Sequence, residues 1–283
     1  MRRALGSTGI DVNAIGLGAM PLSIQGRPDE RTGFAVLAAF VENGGSFIDT
    51  AISYCLDNRD LGHNEQLIAK ALATLERADV VVATKGGLTR PEGRWEVDGN
   101  PTWLRRCCEQ SVRDLGGKPI QLYYLHAPDA NVPFAESLGT LVRLKEEGKI
   151  LHIGLSNVNS KHLDEALRMT AIAAVENRCN IYERRDFASG FIERCRRERI
   201  AYVAYSPVGG HHRHRRLLSD ATLTRIAKKH ETSPYVIALR WLLDQGEHII
   251  PIPGASKVTS ARSSLTATQI VLDAGDRAAL DAL

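Results

Sequence analysis

Long apolar runs, cysteine pairs and a strong net charge are all missing from this sequence of 283 residues. Its apolar stretches stay short of the ~18 residues that a membrane helix needs. No hydrophobic leader follows the basic start Met1-Arg2-Arg3, so we expect neither a membrane anchor nor a signal peptide. The five cysteines are odd in number and form no Cys-x-x-Cys motif. That pattern argues against a disulfide framework or a zinc site and favours a reducing cytoplasm.

The charge balance gives no sign of a nucleic-acid partner. There are 36 Lys and Arg residues and 33 Asp and Glu residues, which gives a net charge of +3. A chain of this length that bound nucleic acid through its overall charge would be far more basic. Heptads and exposed apolar stripes are missing too, so we expect a monomer or a weak oligomer. No linker rich in Pro, Gly or Ser divides the chain, which predicts a single domain over residues 1–283.

What the sequence does contain is an alternation of short apolar runs and helix-like segments. Amphipathic stretches over residues 31–43, 102–115, 135–148 and 160–169 predict helices, the last with Ser160 as its N-cap. The apolar runs are rich in Val, Ile and Tyr, which predicts buried strands. These runs cover residues 14–18, 46–51, 80–85, 120–126, 150–157, 172–180, 201–208 and 248–254.

Eight such strands alternating with helices, in one chain of this length, predict a closed (β/α)8 TIM barrel. A doubly wound open sheet is the alternative. Residues 16–21, GLGAMP, resemble the start of a dinucleotide-binding fingerprint, but Pro21 replaces the third glycine, so we discount that site. A turn signal at residues 5–9 predicts a short N-terminal β-hairpin across the barrel bottom. The long gaps after Lys85 and Val208 predict long loops.

Polar residues end three successive predicted strands, where a barrel carries its chemistry. They are Asp49, Lys85 and His126, and Tyr54 follows the first of these strands. Singly, each is typical of a turn or of a solvated strand end. Together they form a workable acid. An ammonium lowers the pKa of a nearby phenol, a carboxylate orients the ammonium, and an imidazole bonds the carbonyl oxygen or relays a proton. We expect no metal, so the electrons would come as hydride from a bound nicotinamide.

The sequence resembles the aldo-keto reductase family over essentially its whole length. The matching motifs are LGSTG at 5–9, GLGAM at 16–20, FIDTA at 47–51 with Tyr54, NE at 64–65, ATK at 83–85, YLHAPD at 124–129, IGLSN at 153–157, AYSP at 204–207 and IPG at 252–254. The resemblance implies a barrel that reduces aldehydes and ketones with NADPH. It also implies Tyr54 as general acid, Lys85 as modulator of its pKa, Asp49 as partner of Lys85, and His126 as the group that orients the substrate.

The resemblance further implies a nicotinamide site. Ser156 and Asn157 match the pair that donates to the carboxamide oxygen, and Tyr205 matches the residue that stacks on the ring. Glu176 stands where the family usually has Gln, which accepts a hydrogen bond from the carboxamide NH2. A carboxylate can also accept that bond, at the cost of burying its charge. The alternative is that the Glu176 side chain points away from the cofactor. The other residues expected to contact the cofactor are Gly18, Ala19, Met20, Asp49, Ser206, Pro207, Val208, Gly209, Ile252 and Gly254.

The adenosine end departs from the family pattern, because the usual Glu-Asn pair is absent. Ser256, Lys257 and Arg262 still offer a hydroxyl and two positive charges beside the last strand, which suits a 2′-phosphate and favours NADPH over NADH. The alternative is that Lys257 and Arg262 lie on a solvent-exposed helix face and bind no phosphate. The basic loop at residues 209–216 is taken as solvated, with a clamp on the cofactor as second choice. A metal site from His211, His212 and His214 is not expected.

The substrate is expected to lie against Tyr54, His126 and Trp95, although a loop tryptophan equally suits packing on a neighbouring helix. The chain ends soon after its last helix-like segment, so we expect an open site with broad substrate tolerance. The predicted function is NADPH-dependent reduction of aldehydes and ketones in the cytoplasm. The alternative is an NADP(H)-binding regulatory or sensor barrel with little turnover.

Overall fold

The computed structural model describes residues 1–210 and 214–283 and is built around a parallel barrel. The barrel strands follow one another in chain order, and the last returns to the first where Gly18 pairs with Gly254. The N–H of Gly16 donates to the carbonyl oxygen of Pro251 at 3.0 Å and completes the closure. The prediction of a (β/α)8 TIM barrel is therefore confirmed.

Among the described residues, eight strands form this barrel, and the others form two small antiparallel hairpins. In chain order the strands are β1 (Arg2–Ala4), β2 (Asp11–Asn13), β3 (Leu17–Gly18), β4 (Phe47–Asp49), β5 (Val81–Gly86), β6 (Leu88–Thr89), β7 (Glu96–Val97), β8 (Ile120–Leu125), β9 (Ile150–Ser156), β10 (Ala174–Arg178), β11 (Ala201–Tyr205) and β12 (Ile249–Ile252). The barrel comprises β3, β4, β5 and β8 to β12.

Helices cover the outside of the barrel. In the described part of the chain they are α1 (Glu30–Glu42), α2 (His63–Thr74), α3 (Pro101–Asp114), α4 (Phe134–Glu146), α5 (Ser160–Met169), α6 (Arg185–Ala188), α7 (Phe191–Arg197), α8 (Arg215–Ser219), α9 (Ala221–Lys229), α10 (Pro234–Asp244), α11 (Val258–Leu265) and α12 (Ala274–Asp281), with 3-10 turns at Met20–Leu22, Asn58–Asp60, Pro91–Gly93 and Thr266–Gln269. No helix among these residues is long and apolar enough to cross a bilayer.

Strand alternation decides which residues reach the site. Phe47, Ala83 and Tyr124 belong to one buried cluster inside the barrel. Because successive side chains of a strand point to opposite faces, the residue two positions later also points inward. That rule carries Asp49 and Lys85 to the carboxyl end of the interior, beyond the apolar layers.

The N-terminal hairpin closes the opposite end of the barrel, as predicted. Leu5 and Val12 are fully buried and pack into the interior cluster. The guanidinium of Arg3 donates to the carbonyl oxygens of Ile249 and Leu243. The hairpin therefore seals the bottom and leaves the other end open to ligands.

Two local expectations are wrong. Helix α5 is capped by Asn159 and not by Ser160: the Asn159 side chain accepts from the N–H groups of Lys161 and His162, and the His162 side chain accepts from the N–H of Asn159. Ser160 is already the first helical residue.

The gap after Val208 is also not one long loop, because α8 and α9 lie within it. Leu223, Ile226 and Ala227 bury one face of α9, and Asp220 caps its start. The gap after Lys85 holds the small β6–β7 hairpin.

Candidate active site

The carboxyl ends of the barrel strands open into a cavity of about 1260 Å³. Asp49, Tyr54 and His126 line it, and Lys85 lies beneath them, fully buried. The four residues that the strand ends predicted therefore lie together at one place in the barrel.

Lys85 connects this group. Its Nζ donates to Oδ1 of Asp49 at 2.5 Å, to the carbonyl oxygen of Thr50 at 2.9 Å and to the phenol oxygen of Tyr54 at 3.2 Å. The imidazole of His126 packs against the Tyr54 ring, with 5.9 Å between ring centroids. A substrate oxygen entering the cavity would thus meet a phenol that has an ammonium directly behind it.

Burial, and not the ammonium, decides the acidity of Tyr54 in the free protein. Burial raises its pKa above the ordinary value of a phenol, and the charge of Lys85 opposes that rise without cancelling it. Lys85 therefore acts on the pKa of Tyr54 in the predicted direction, but burial outweighs it in the free protein. Because its pKa is high, Tyr54 keeps its proton at neutral pH and is available as a donor.

His126 is neutral in this setting. Burial lowers the pKa of its imidazole well below the usual range, and the nearby Lys85 lowers it further. A neutral imidazole has one N–H donor and one acceptor nitrogen. His126 can therefore offer a hydrogen bond to a substrate oxygen without adding a second positive charge to the site.

Glu176 points into the site and does not turn away from it. Its side chain is 3% exposed, and Oε2 lies 3.4 Å from Nζ of Lys85. Burial, followed by the charge of Asp49, raises the pKa of the Glu176 carboxyl well above its usual range. Burial therefore opposes the ionised form that the sequence suggested, and the carboxyl carries an acceptor oxygen in either form.

Asn157 joins two strands at the rim and adopts a left-handed backbone, with φ of 57°. Its amide Nδ2 donates to the His126 carbonyl oxygen at 2.9 Å and to Ser156 Oγ at 3.1 Å, while Oδ1 accepts from the Tyr205 hydroxyl at 2.8 Å. A carboxamide oxygen would have to displace one of these two N–H contacts. This backbone conformation is energetically unfavourable for a residue other than glycine, and residues in such conformations are common at functional sites.

Most of the residues expected to contact a cofactor line the same cavity. Ala19 is fully buried, and its N–H donates to the Asp49 carbonyl oxygen at 2.9 Å. Arg262 is exposed on α11, and neither it nor Ala19 is among the described lining residues. Those that do line the cavity are Gly18, Met20, Asp49, Ser156, Asn157, Glu176, Tyr205, Ser206, Pro207, Val208, Gly209, Ile252, Gly254, Ser256 and Lys257.

Trp95 lines the cavity. Its ring meets the Tyr54 ring edge-on, with 6.2 Å between centroids. The guanidinium of Arg90 stacks on the Trp95 ring, 3.7 Å from the ring centroid. Trp95 is 45% exposed, so it forms a wall beside the phenol, held in place by a buried arginine.

Three contributors to the site escaped the sequence reasoning. Tyr124 lies under Lys85, with 5.7 Å from Nζ to the ring centroid. Arg178 lines the cavity and lies over the Tyr205 ring at 5.4 Å. Strand alternation would have found both, since Tyr124 precedes His126 by two residues and Arg178 follows Glu176 by two. No sequence signal marks the third, the carbonyl of Thr50.

The basic loop after β11 is described only in part. His211, His212 and Arg213 lie outside the described residues, so the metal site considered for this loop has no structural account. His214 lines the cavity, and the guanidinium of Arg216 stacks on the Tyr182 ring at 3.7 Å.

Comparison with known proteins places this geometry in a family. The model of the aldo/keto reductase family matches residues 14–283. A probable aldo-keto reductase from Glycine max is 31% identical over 96% of this chain and 85% of its own.

Two solved structures show the same fold. A thermostable aldo-keto reductase crystallised with the inhibitor epalrestat is 29% identical to this chain, with a TM-score of 0.82. The match covers all of this chain and 99% of that one. An aldo-keto reductase from Klebsiella pneumoniae in complex with NADPH is 23% identical, with a TM-score of 0.82, over 99% of this chain and 94% of that one.

Proposed function

The chain belongs to the aldo/keto reductase family, and from this premise we propose that it reduces aldehydes or ketones to alcohols with NADPH. It is an oxidoreductase acting on carbonyl or alcohol groups. The observation that carries the proposal is the chain of contacts from Tyr54 through Lys85 to Asp49 on the floor of the cavity. The five cysteines are free and buried, which agrees with the proposed cytoplasmic location.

Tyr54 is the proposed proton donor. A substrate oxygen that accepts from its hydroxyl also lies within reach of the His126 imidazole, and these two groups orient the carbonyl. As the carbonyl carbon gains a hydride, its oxygen takes the Tyr54 proton, which leaves a phenolate. When bound, NADPH supplies that hydride.

Lys85 acts on the phenolate and not on the resting phenol. Its ammonium is already 3.2 Å from the oxygen that becomes negative, so the charge is stabilised as it forms, without reorganisation of solvent. Asp49 keeps Lys85 protonated and holds it in place through the 2.5 Å contact. We therefore propose that Lys85 and Asp49 stabilise the phenolate of Tyr54. Tyr54 and His126 are the two residues proposed to contact the substrate oxygen. Trp95 is the proposed wall of the substrate pocket.

The residues around the cavity fit a nicotinamide cofactor. Glu176 lines the cavity, and its carboxyl carries an acceptor oxygen whether or not it is protonated, so an acceptor is available for a carboxamide N–H. Ser156 and Asn157 are the proposed donors to the carboxamide oxygen, and Tyr205 the proposed stacking ring.

The first strand comes close to the last at the proposed cofactor site. A Cβ on Gly18 would lie 2.9 Å from the Ile252 carbonyl oxygen, and one on Gly254 would lie 2.9 Å from Pro21. Gly18 thus allows the close approach of two backbones, and Gly254 leaves room for the Pro21 ring. We propose that Gly18, Ala19, Met20, Ile252 and Gly254 contact the cofactor from this side, and the turn of Ser206, Pro207, Val208 and Gly209 from the side of β11.

The positive charge at the far end of the cavity favours NADPH over NADH. Ser256 and Lys257 are exposed on its lining, where a hydroxyl and an ammonium suit a 2′-phosphate. Arg262, exposed on α11, adds a second cation nearby along the chain. The relative from Klebsiella pneumoniae was crystallised with NADPH, which agrees with this choice.

Replacing Tyr54 by Phe tests the proposal. We expect wild-type protein to consume NADPH with some member of a panel of aldehydes and ketones. The Tyr54→Phe variant should lose roughly 10²- to 10⁴-fold in kcat while its Kd for NADPH stays the same, because the lost hydroxyl acts on the substrate. Tyr182→Phe is the matched control, since that hydroxyl donates to Asp220 and lies outside the site. Tight NADPH binding without turnover on any carbonyl would point instead to a regulatory or sensor barrel.

A further inference from the structure

The ammonium of Lys85 has two carboxyl partners. Asp49 Oδ1 is 2.5 Å from its Nζ, and Glu176 Oε2 is 3.4 Å away. All three side chains are sealed from solvent, with exposures of 0% for Lys85, 2% for Asp49 and 3% for Glu176. One buried cation therefore serves two buried acids.

The charges do not balance if both acids are ionised. Two carboxylates and one ammonium would leave a net negative charge inside the barrel, and an uncompensated buried charge is costly. Moreover, Asp49 Oδ2 and Glu176 Oε2 have no hydrogen-bond partner among the described residues. A single proton held between the two carboxyls removes the excess charge and supplies the missing donor.

Geometry assigns the resting place of this proton to Glu176. Asp49 makes the shorter contact with Lys85 and is therefore the better carboxylate. The shift in acidity agrees: burial, followed by the charge of Asp49, raises the pKa of Glu176, while the charge of Lys85 opposes that rise. Burial raises the pKa of Asp49 as well, but the charge of Lys85 and its short hydrogen bond are the main causes that oppose this rise.

The other groups packed around Glu176 do not supply the missing charge. On β8 and on the loop after β4, Tyr124 and Tyr54 are neutral phenols with raised pKa values. Ser156 and Val203 are its register partners on β9 and β11 and carry no charge. Arg178, two residues along β10, lies over the Tyr205 ring with its side chain 46% exposed, and it is not among the groups that shift the pKa of Glu176. His126 is neutral.

We infer that Asp49 and Glu176 share one proton beside Lys85, and that loss of this proton sets the alkaline limit of the carbonyl reduction. The second half of this inference rests on the proposed function. Glu176 does not touch the substrate oxygen in this account; it is a positioning residue that acts on Tyr54 through Lys85.

The direction of the effect follows from the charges. While Glu176 holds the proton, Lys85 balances Asp49 alone, and its field also stabilises the phenolate that forms on Tyr54. Once the proton is lost, the charge of Lys85 is divided between two carboxylates. The added negative charge then raises the pKa of Tyr54 and makes its proton harder to give. Reduction should therefore slow as the pH rises through the pKa of Glu176.

The shared proton can be tested in the free protein by ¹³C NMR titration of labelled glutamate carboxyls. The signal that is missing in Glu176→Gln should titrate well above the ordinary glutamate pKa of about 4.3. In Asp49→Asn its pKa should fall, because Lys85 is then left to Glu176 alone. Glu65→Gln is the matched control: Glu65 is another fully buried glutamate, with its pKa raised to about 8, but it accepts from Thr84 outside the barrel interior.

A Glu176 signal that titrates in the ordinary range would overturn the inference, and so would one that Asp49→Asn leaves unmoved. These NMR outcomes do not depend on turnover, so wild-type protein that shows the raised pKa and yet reduces no carbonyl would refute the proposed function and not the shared proton.

The kinetic half is tested by the pH profile of kcat/KM. An amide keeps the acceptor oxygen and cannot ionise, so the alkaline limb of Glu176→Gln should move upward by roughly one pH unit or more, while the limb of Glu65→Gln stays in place. Coincident alkaline limbs for wild type and Glu176→Gln would overturn the regulatory role.

Discussion

Lys85 is the residue on which the electrostatics of the site depend. Its three donor contacts go to Asp49, the Thr50 carbonyl and Tyr54, and Glu176 completes its surroundings. The sequence predicted its pairing with Asp49, since both end neighbouring strands. The ionisation of these groups was not predictable, because it depends on burial in the closed barrel and on a second acid from a strand far along the chain.

Removing the ammonium should change how stability depends on pH. In Lys85→Met both buried acids lose the cation that lowers their pKa values, so both folded-state values move further above those of the unfolded chain. Stability is then retained at low pH, where the acids are neutral in both states, and lost as the pH rises. We expect the free energy of unfolding to fall by roughly 3–5 kcal/mol at neutral pH and by less in acid. Urea unfolding at several pH values measures this difference.

Lys149→Met is the control for this measurement. Lys149 pairs with Glu109 and Glu147 at the surface, so we expect it to cost at most about 1 kcal/mol. If Lys85→Met lost as much stability in acid as at neutral pH, the electrostatic role assigned to Lys85 would be wrong.

Lys257 carries the proposed preference for NADPH. In Lys257→Gln the Kd for NADPH should rise by roughly tenfold, the usual worth of a hydrogen bond to a charged group, while the Kd for NADH stays the same. Fluorescence titration measures both constants. Lys228→Gln, exposed on α9, is the control. An equal loss for both cofactors would remove Lys257 from phosphate recognition.

At the scale of elements, β9 shows how one glycine makes room for the site. A Cβ on Gly154 would lie 2.4 Å from Cδ1 of Tyr124, and Tyr124 is the buried ring beneath Lys85. Gly154→Ala must therefore displace a rigid side chain inside the barrel. We expect it to cost about 1–3 kcal/mol in thermal unfolding and to disturb Lys85.

Gly139→Ala is the matched control on the outside of the barrel. Gly139 lies within α4. The nearest atom to a Cβ at this position would be Nη1 of the flexible Arg143 side chain, at 3.6 Å. Alanine is the better helix former, so this variant should gain up to about 1 kcal/mol. Equal effects of the two substitutions would contradict the packing described for Tyr124.

The sequence predicted the barrel strands well, because buried strands leave apolar runs with polar residues at their ends. The elements it missed are the ones whose signals are weak. Helices α8 and α9 follow a loop rich in His and Arg, which hid the spacing of Leu223, Ile226 and Ala227. The start of α5 was placed one residue late, because Asn159 and Ser160 are both good caps.

For the whole molecule, we propose that residues 1–283 form one domain. The barrel closes between its first and last strands, and Arg3 of the hairpin holds the carbonyl oxygens of Leu243 and Ile249 at the far end of the chain. Circular dichroism and tryptophan fluorescence should therefore follow one urea transition with the same midpoint. Two separated transitions would divide the chain into independent units.

At the scale of the whole molecule, the proposed reaction moves a hydride onto a carbonyl carbon and a proton from Tyr54 onto its oxygen. Incubation of wild-type protein with NADPH deuterated on the transferred position and a reducible carbonyl tests it most directly, with mass spectrometry of the alcohol. We expect one deuterium on the carbinol carbon of the alcohol from wild-type protein, and almost no alcohol from Tyr54→Phe at equal cofactor occupancy. Unlabelled alcohol, no alcohol from wild-type protein, or an equal yield of labelled alcohol from Tyr54→Phe would contradict this mechanism.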